Sequence, residues 1–162
     1  MSYDVRGVAN FVLDLAEQER ERVSNLRINK IIYFLHAGFL REFGRPLVSA
    51  KIEAWDHGPV FREIYHQFKK FGRSEILGRA NRINVSTGDY EEATVDMLSE
   101  EAGFLTERCR QLLKVPAGIL VDKSHEIGGP WYIARFGQGR VNPGVEITND
   151  LIVEHFSRET RH

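Results

Sequence analysis

Glu53-Ala54-Trp55-Asp56-His57-Gly58-Pro59-Val60-Phe61-Arg62-Glu63-Ile64-Tyr65-His66-Gln67-Phe68 is the stretch on which the reading of the fold turns. Pro59 fixes its own φ and pushes Gly58 toward extended backbone, while Gly58 tolerates angles closed to other residues, so the pair marks a pre-shaped turn. From Pro59 onward Val60, Phe61, Ile64, Tyr65, Phe68 and Phe71 recur at helical spacing, with Arg62, Glu63, Gln67 and Lys69 between them. That pattern predicts a helix with Pro59 at its first position. Trp55, Asp56 and His57 then sit just before a helix N-terminus, where polar side chains answer free N–H groups and an indole faces core or partner. Just upstream, Ile52 and Ala54 alternate with Lys51 and Glu53 as in a strand. No second strand pattern lies nearby to pair with them, so residues 47–55 read as an extended connector.

Outward from this stretch the helical signals dominate. Val5, Val8, Val12 and Leu15 form one stripe, with Asp4 or Ser2 placed to cap it. Ser24 or Asn25 caps a second helix with Ile28, Ile32, Leu35 and Phe39 on one face and Ile31, Phe34 and Gly38 on the next. Gly44 and Pro46 stop it. Ser86-Thr87-Gly88-Asp89 offers caps ahead of a long helix in which Val95, Leu98, Ala102, Leu105, Cys109 and Leu112 step by three and four. That stripe also suits a homo-oligomer contact, although packing inside the monomer is its commoner use. Pro116 starts a short helix over 117–121, residues 128–144 form a long connection around Trp131 and Tyr132, and Thr148 or Asn149 caps a last helix with Leu151, Ile152, His155 and Phe156 inward. The expected fold is all-α: a single domain over 1–162, five to seven helices packed around residues 26–43, with one short extended segment near Ile52.

Composition narrows the function classes. A chain of 162 residues supports one well-buried core, and 42% hydrophobic with 28% charged residues is an ordinary globular balance. A formal net charge of −1 supplies no global attraction to nucleic acid or an anionic membrane. No apolar run is long enough to cross a bilayer, since Asn29, Lys30 and His36 interrupt the richest one. The lone Cys109 and an N-terminus without a basic start and apolar run point to the cytoplasm.

No catalytic constellation stands out. Asp56, His57, His125 and Glu126 are the best metal candidates, yet their spacing matches no ligand signature, and turn hydrogen bonding accounts for Asp56 and His57. His36 lies among Tyr33, Leu35 and Phe39, where a buried, hydrogen-bonded role is the commoner one. Cys109 falls on an apolar stripe, which predicts an inert thiol. Gly137-Gln138-Gly139-Arg140 is glycine-rich but lacks the strand-glycine-helix context of a phosphate loop. The expectation is therefore no catalytic residue, no metal and no cofactor. The aromatic residues differ in kind: Trp55, Tyr65, Trp131 and Tyr132 flank Gly58-Pro59 and Gly129-Pro130, and large amphipathic side chains on rigid turns anchor interfaces as well as cores. Candidate partner-binding residues are Trp55, Asp56, His57, Gly58, Pro59, Tyr65, Trp131 and Tyr132.

Leu26-Arg27-Ile28-Asn29-Lys30-Ile31-Ile32-Tyr33-Phe34-Leu35-His36, then Gly44-Arg45-Pro46-Leu47, Glu53-Ala54-Trp55, Gly58-Pro59-Val60 with Tyr65 and Phe68, and late in the chain His125, Gly129-Pro130-Trp131 and the segment from Ile147 to Phe156, occur in an order that resembles the Panacea antitoxin domain of phage-associated GepA-like and SocA-like proteins. The resemblance covers about residues 26–156. It implies an antitoxin that binds a cognate toxin protein and blocks it. It also implies, as an alternative, a proteolytic adaptor that hands the toxin to an ATP-dependent protease. A DNA-binding regulator stays open beside these, with the polar residues between Asn25 and Lys30 as its nearest recognition helix.

Overall fold

The computed structural model describes residues 2–137 and 144–159. Helix α1 (Val5–Gln18) is capped by Asp4, whose carboxylate accepts from the Arg6 N–H. Helix α2 (Asn25–Phe43) begins at Ser24, whose Oγ accepts from the Arg27 N–H, and ends at Gly44 in the left-handed region at φ 70°. Every α2 residue from Ile28 to Leu40 is buried. A helix apolar on all sides can be satisfied only at the centre of a core, and α1, the later helices and a β-hairpin pack around it.

The all-α expectation is overturned. Among the described residues, seven helices are joined by two small antiparallel sheets, so the fold is mixed α and β. Strand β1 (Ile52–Trp55), expected as a lone connector, pairs with β2 (Gly58–Phe61) in the register Ile52 to Phe61 and Trp55 to Gly58. Pro59 is therefore a strand residue, and helix α3 starts only at Arg62, running to Phe68 before a 3-10 turn over Lys69–Phe71. A proline is tolerated here because its opposite number, Ala54, does not need it: the Ala54 N–H donates to the Val145 carbonyl at 2.8 Å and its carbonyl accepts from Arg135. The Ile147 N–H donates in turn to the Ile52 carbonyl at 2.8 Å, so the late segment lies along the outer edge of β1.

The second sheet corrects a helix boundary. Strands β3 (Asn81–Ile83) and β4 (Tyr90–Glu92) form a hairpin where cap residues for a long helix were expected. Asn84 Oδ1 accepts from the Ser86 and Thr87 N–H groups, and Gly88 adopts φ 76°, which makes the turn. Helix α4 (Ser99–Leu113) then starts with Leu98 as its N-cap, and Leu98 is exposed. Its buried face is Glu101, Leu105, Cys109 and Leu113. Helix α5 (Ala117–Ser124) follows Pro116, α6 (Pro130–Phe136) occupies part of the expected long connection with Pro130 in its first turn, and α7 (Asn149–Glu159) closes against α2. Residues 138–143, with the glycine-rich Gly139 and Arg140, lie outside the described residues.

Candidate functional site

The β1–β2 hairpin is held from behind by buried polar groups. Only Asp56 and His57 separate its strands, and Gly58 takes φ 110°, a backbone closed to ordinary side chains. A Cβ at Gly58 would lie 2.7 Å from Lys30 Cε and 2.8 Å from Ser124 Oγ, so the absence of a side chain lets α2 and α5 press against the turn. Lys30 Nζ donates to the Pro59 carbonyl at 2.9 Å, and the Phe61 N–H donates to Asn29 Oδ1 at 2.9 Å. From α6, Trp131 Nε1–H donates to the Trp55 carbonyl at 2.7 Å, Arg135 donates to the Ala54 carbonyl, and Arg135 pairs with Asp56. Each such bond to a buried carbonyl or amide removes a desolvation penalty of ~1–3 kcal/mol, so the hairpin is fixed rather than floating.

Electrostatics behind the turn are unusual. Lys30 is fully buried, and desolvation pushes its ammonium down to about 7. His125 is lowered by burial and then by the Lys30 charge; its Nε2 is a buried atom without a hydrogen-bond partner among the described residues, while its ring lies against Trp131 at 4.0 Å. His36 is also lowered by burial, joined to Asn149 Oδ1 at 2.8 Å and accepting at Nδ1 from the Val48 N–H at 3.5 Å. It therefore ties α2 to α7 and to the loop before β1. The Cys109 thiol is wholly buried and pushed up to about 12 by desolvation, so no thiolate forms at neutral pH.

In front of the hairpin a groove of about 810 Å³ opens between the start of α2, the two strands and α3. Trp55 and Tyr65 meet edge to face at 4.8 Å on one wall, with Leu26 and Val60 among the apolar lining. Glu53, nearly inaccessible, is held by Arg62 through Nε to Oε2 at 3.0 Å and Nη2 to Oε1 at 3.0 Å, and by Trp55 Nε1 at 3.3 Å. This forked pair fixes the Trp55 indole against the groove wall.

The eight residues singled out in the sequence divide by place. Trp55 and Tyr65 are half-buried in the groove wall, and Asp56 and His57 are exposed at the hairpin tip. Gly58 and Pro59 are buried beneath them. Trp131 is 7% exposed and serves as a clamp on the hairpin backbone, and Tyr132 lies half-buried against Phe136 at 5.2 Å. Sequence reasoning missed Lys30, Asn29 and Arg62. For Asn29 and Lys30 the signal was a polar residue inside the apolar run of α2, which demands buried partners; Arg62 is exposed and carried no such signal. Asn25 and Asn29 are likewise turned inward, Asn25 Nδ2 donating to the Tyr65 carbonyl at 3.0 Å. Asp56 is taken by Arg135 and Glu126 by His155 at 3.1 Å, and among the described residues no group of three or more His, Cys, Asp or Glu side chains gathers as a metal site.

The pattern described as "Antitoxin SocA-like, Panacea domain" matches residues 28–132, which take in α2 from Ile28 onward, the hairpin, most of the groove lining and the start of α6. The chain belongs to this antitoxin family. Antitoxin SocA of Caulobacter vibrioides (strain NA1000 / CB15N) is 33% identical over 156 residues, covering 96% of this chain and 83% of that protein. No solved structure matches significantly. The family segment ends at Tyr132, so it takes in both Trp55 and Trp131 and hence both ends of the clamp that holds the hairpin. Among the described residues no helix is long and apolar enough to cross a membrane.

Proposed function

We propose that this chain neutralises a cognate toxin protein by direct binding, with the face around the β1–β2 hairpin as its contact surface and with no chemistry of its own. The observation that carries the reading is the pairing of an open, aromatic-walled groove with a buried polar frame that fixes it. Trp55 and Tyr65 stand at the surface, while Lys30, Asn29, Trp131 and Arg135 hold the backbone behind them. A surface that is rigid before binding loses little entropy on association, and aromatic anchors in such places contribute most of the affinity. Two polar side chains nearby are engaged within the protein: Ser124 Oγ donates to the Val121 carbonyl at 2.7 Å, and Glu53 is neutralised by Arg62.

Co-expression with the product of the adjacent gene tests the reading. Growth should be rescued and the two chains should co-purify, burying ~1,200–2,000 Å² in an interface of standard size. Trp55→Ala should weaken the complex by ~2 kcal/mol or more. A harmless neighbour, or rescue without physical association, would sink direct neutralisation.

A further inference from the structure

Charge is distributed unevenly around the groove. Its two acidic lining residues are already answered inside the protein, Glu53 by the forked Arg62 contact and Asp56 by Arg135. Its rim, by contrast, carries Lys69 and Arg73, both exposed, and neither has an ion-pair partner among the described residues. The same lining brings together the apolar and aromatic side chains Leu26, Val60, Trp55 and Tyr65. The groove is therefore an apolar slot with an uncompensated cationic lip. The whole chain, with its net charge of −1, does not share this sign, so the lip is a local feature and not a consequence of a basic protein.

Resting on the reading that the chain neutralises a toxin by direct binding, we infer that the groove seats an acidic segment of the toxin polypeptide. One large apolar or aromatic side chain of that segment enters between Leu26, Val60, Trp55 and Tyr65, and flanking Asp or Glu residues face Lys69 and Arg73. Both halves of the occupant follow from the site. An apolar slot half-closed by edge-to-face aromatic rings rewards a buried side chain. Unpaired exposed cations at its lip attract carboxylates, speed encounter and repel basic segments. A basic or nucleic-acid-binding segment of the toxin is excluded from this slot by its positive charge. Among the described residues a nucleic acid would meet only two free cations at the groove, too few for the row of phosphate contacts that such binding uses.

The test uses the full chain and the product of the adjacent gene as the probe. Lys69→Glu and Arg73→Glu are combined; both residues are exposed, so the melting temperature should stay where it was. Binding should weaken at least about 30-fold at low salt, and the steep decline of the wild-type association rate with added salt should flatten. Tyr65→Ala should weaken binding about 10-fold or more while leaving the salt dependence as it was, which separates the apolar slot from its charged lip. A double variant that binds as tightly as wild type, with the same salt dependence, overturns the acidic-segment assignment while direct neutralisation stands. A wild-type chain that does not associate with the probe at all overturns both.

Discussion

The two hairpins among the described residues are both short antiparallel pairs, yet their settings are opposite. In β1–β2 three of four residues of the first strand and all four of the second are buried, whereas β3–β4 shows the exposed-intermediate-exposed pattern in both strands, with Ile83 and Tyr90 paired in the open. The first is held along its length by α2 and α6. The second is held at its base, where Asn10 Nδ2 donates to the Ala80 and Ala93 carbonyls at 2.9 and 2.8 Å, Asn10 Oδ1 accepts from the Ala80 N–H at 2.7 Å, and the Gln67 amide bonds both backbone groups of Asn81. A two-stranded ribbon is marginal alone. The difference teaches that the positioned hairpin is the one whose backbone is bound by buried side chains, and strand pairing by itself does not supply that rigidity.

The largest expected effect comes from the cation beneath β1–β2. The folded state holds Lys30 near 7 and the unfolded chain holds it at 10.5, so between those values the unfolded state carries the extra proton. Stability should therefore rise with pH through that window and fall as pH drops toward 7, with little further change from Lys30 below it. From pH 7 to 9.5 the gain should be about 3 kcal/mol, and Lys30→Met should abolish most of that slope even though it orphans the Pro59 carbonyl. Urea denaturation at a series of pH values gives the answer. A variant with the wild-type slope would mean that Lys30 is charged in the folded state.

Next in size, Gly58→Val should cost about 2 to 3 kcal/mol, because the new side chain meets both a positive φ and the Lys30 and Ser124 atoms packed against the turn. Equilibrium melts would show it, and an unchanged midpoint would mean that the hairpin is free to move away from α2. Asn10→Ala should cost about 2 kcal/mol by leaving buried backbone groups at the base of β3–β4 unpaired. Amide exchange should then speed up in β3–β4 and leave β1–β2 protected; equal loss in both would dissolve the contrast. Gly88→Ala is the smallest and the sharpest test. Gly88 also has a positive φ, but open space surrounds it, so only the backbone term of about 1 kcal/mol should appear. If Gly88→Ala costs as much as Gly58→Val, close packing behind Gly58 is not what distinguishes the two turns.

Sequence alone determined the local signals that answer to local chemistry. The cap positions, narrowed to Asp4 or Ser2 and to Ser24 or Asn25, Gly44 as the left-handed stop, the apolar faces of α2 and the inert Cys109 are each signalled by a residue and its near neighbours, and the structure chose Asp4 and Ser24 as the caps. The order of its motifs also carried the family. Tertiary structure decided the rest. Val60 and Phe61 continue the 3.6-residue period of Ile64 and Phe68, so the pattern could not show that a strand ends and a helix begins between Phe61 and Arg62. That boundary exists because Asn29 takes the Phe61 N–H and Val145 takes the Ala54 N–H, partners 32 and 91 residues away along the chain. The groove is equally non-local. Leu26, Trp55, Tyr65 and Arg73 acquire a shared surface only after α2, the hairpin and α3 pack. A side chain's periodicity records which face it prefers, and which element covers that face is decided by chain segments that the period does not encode.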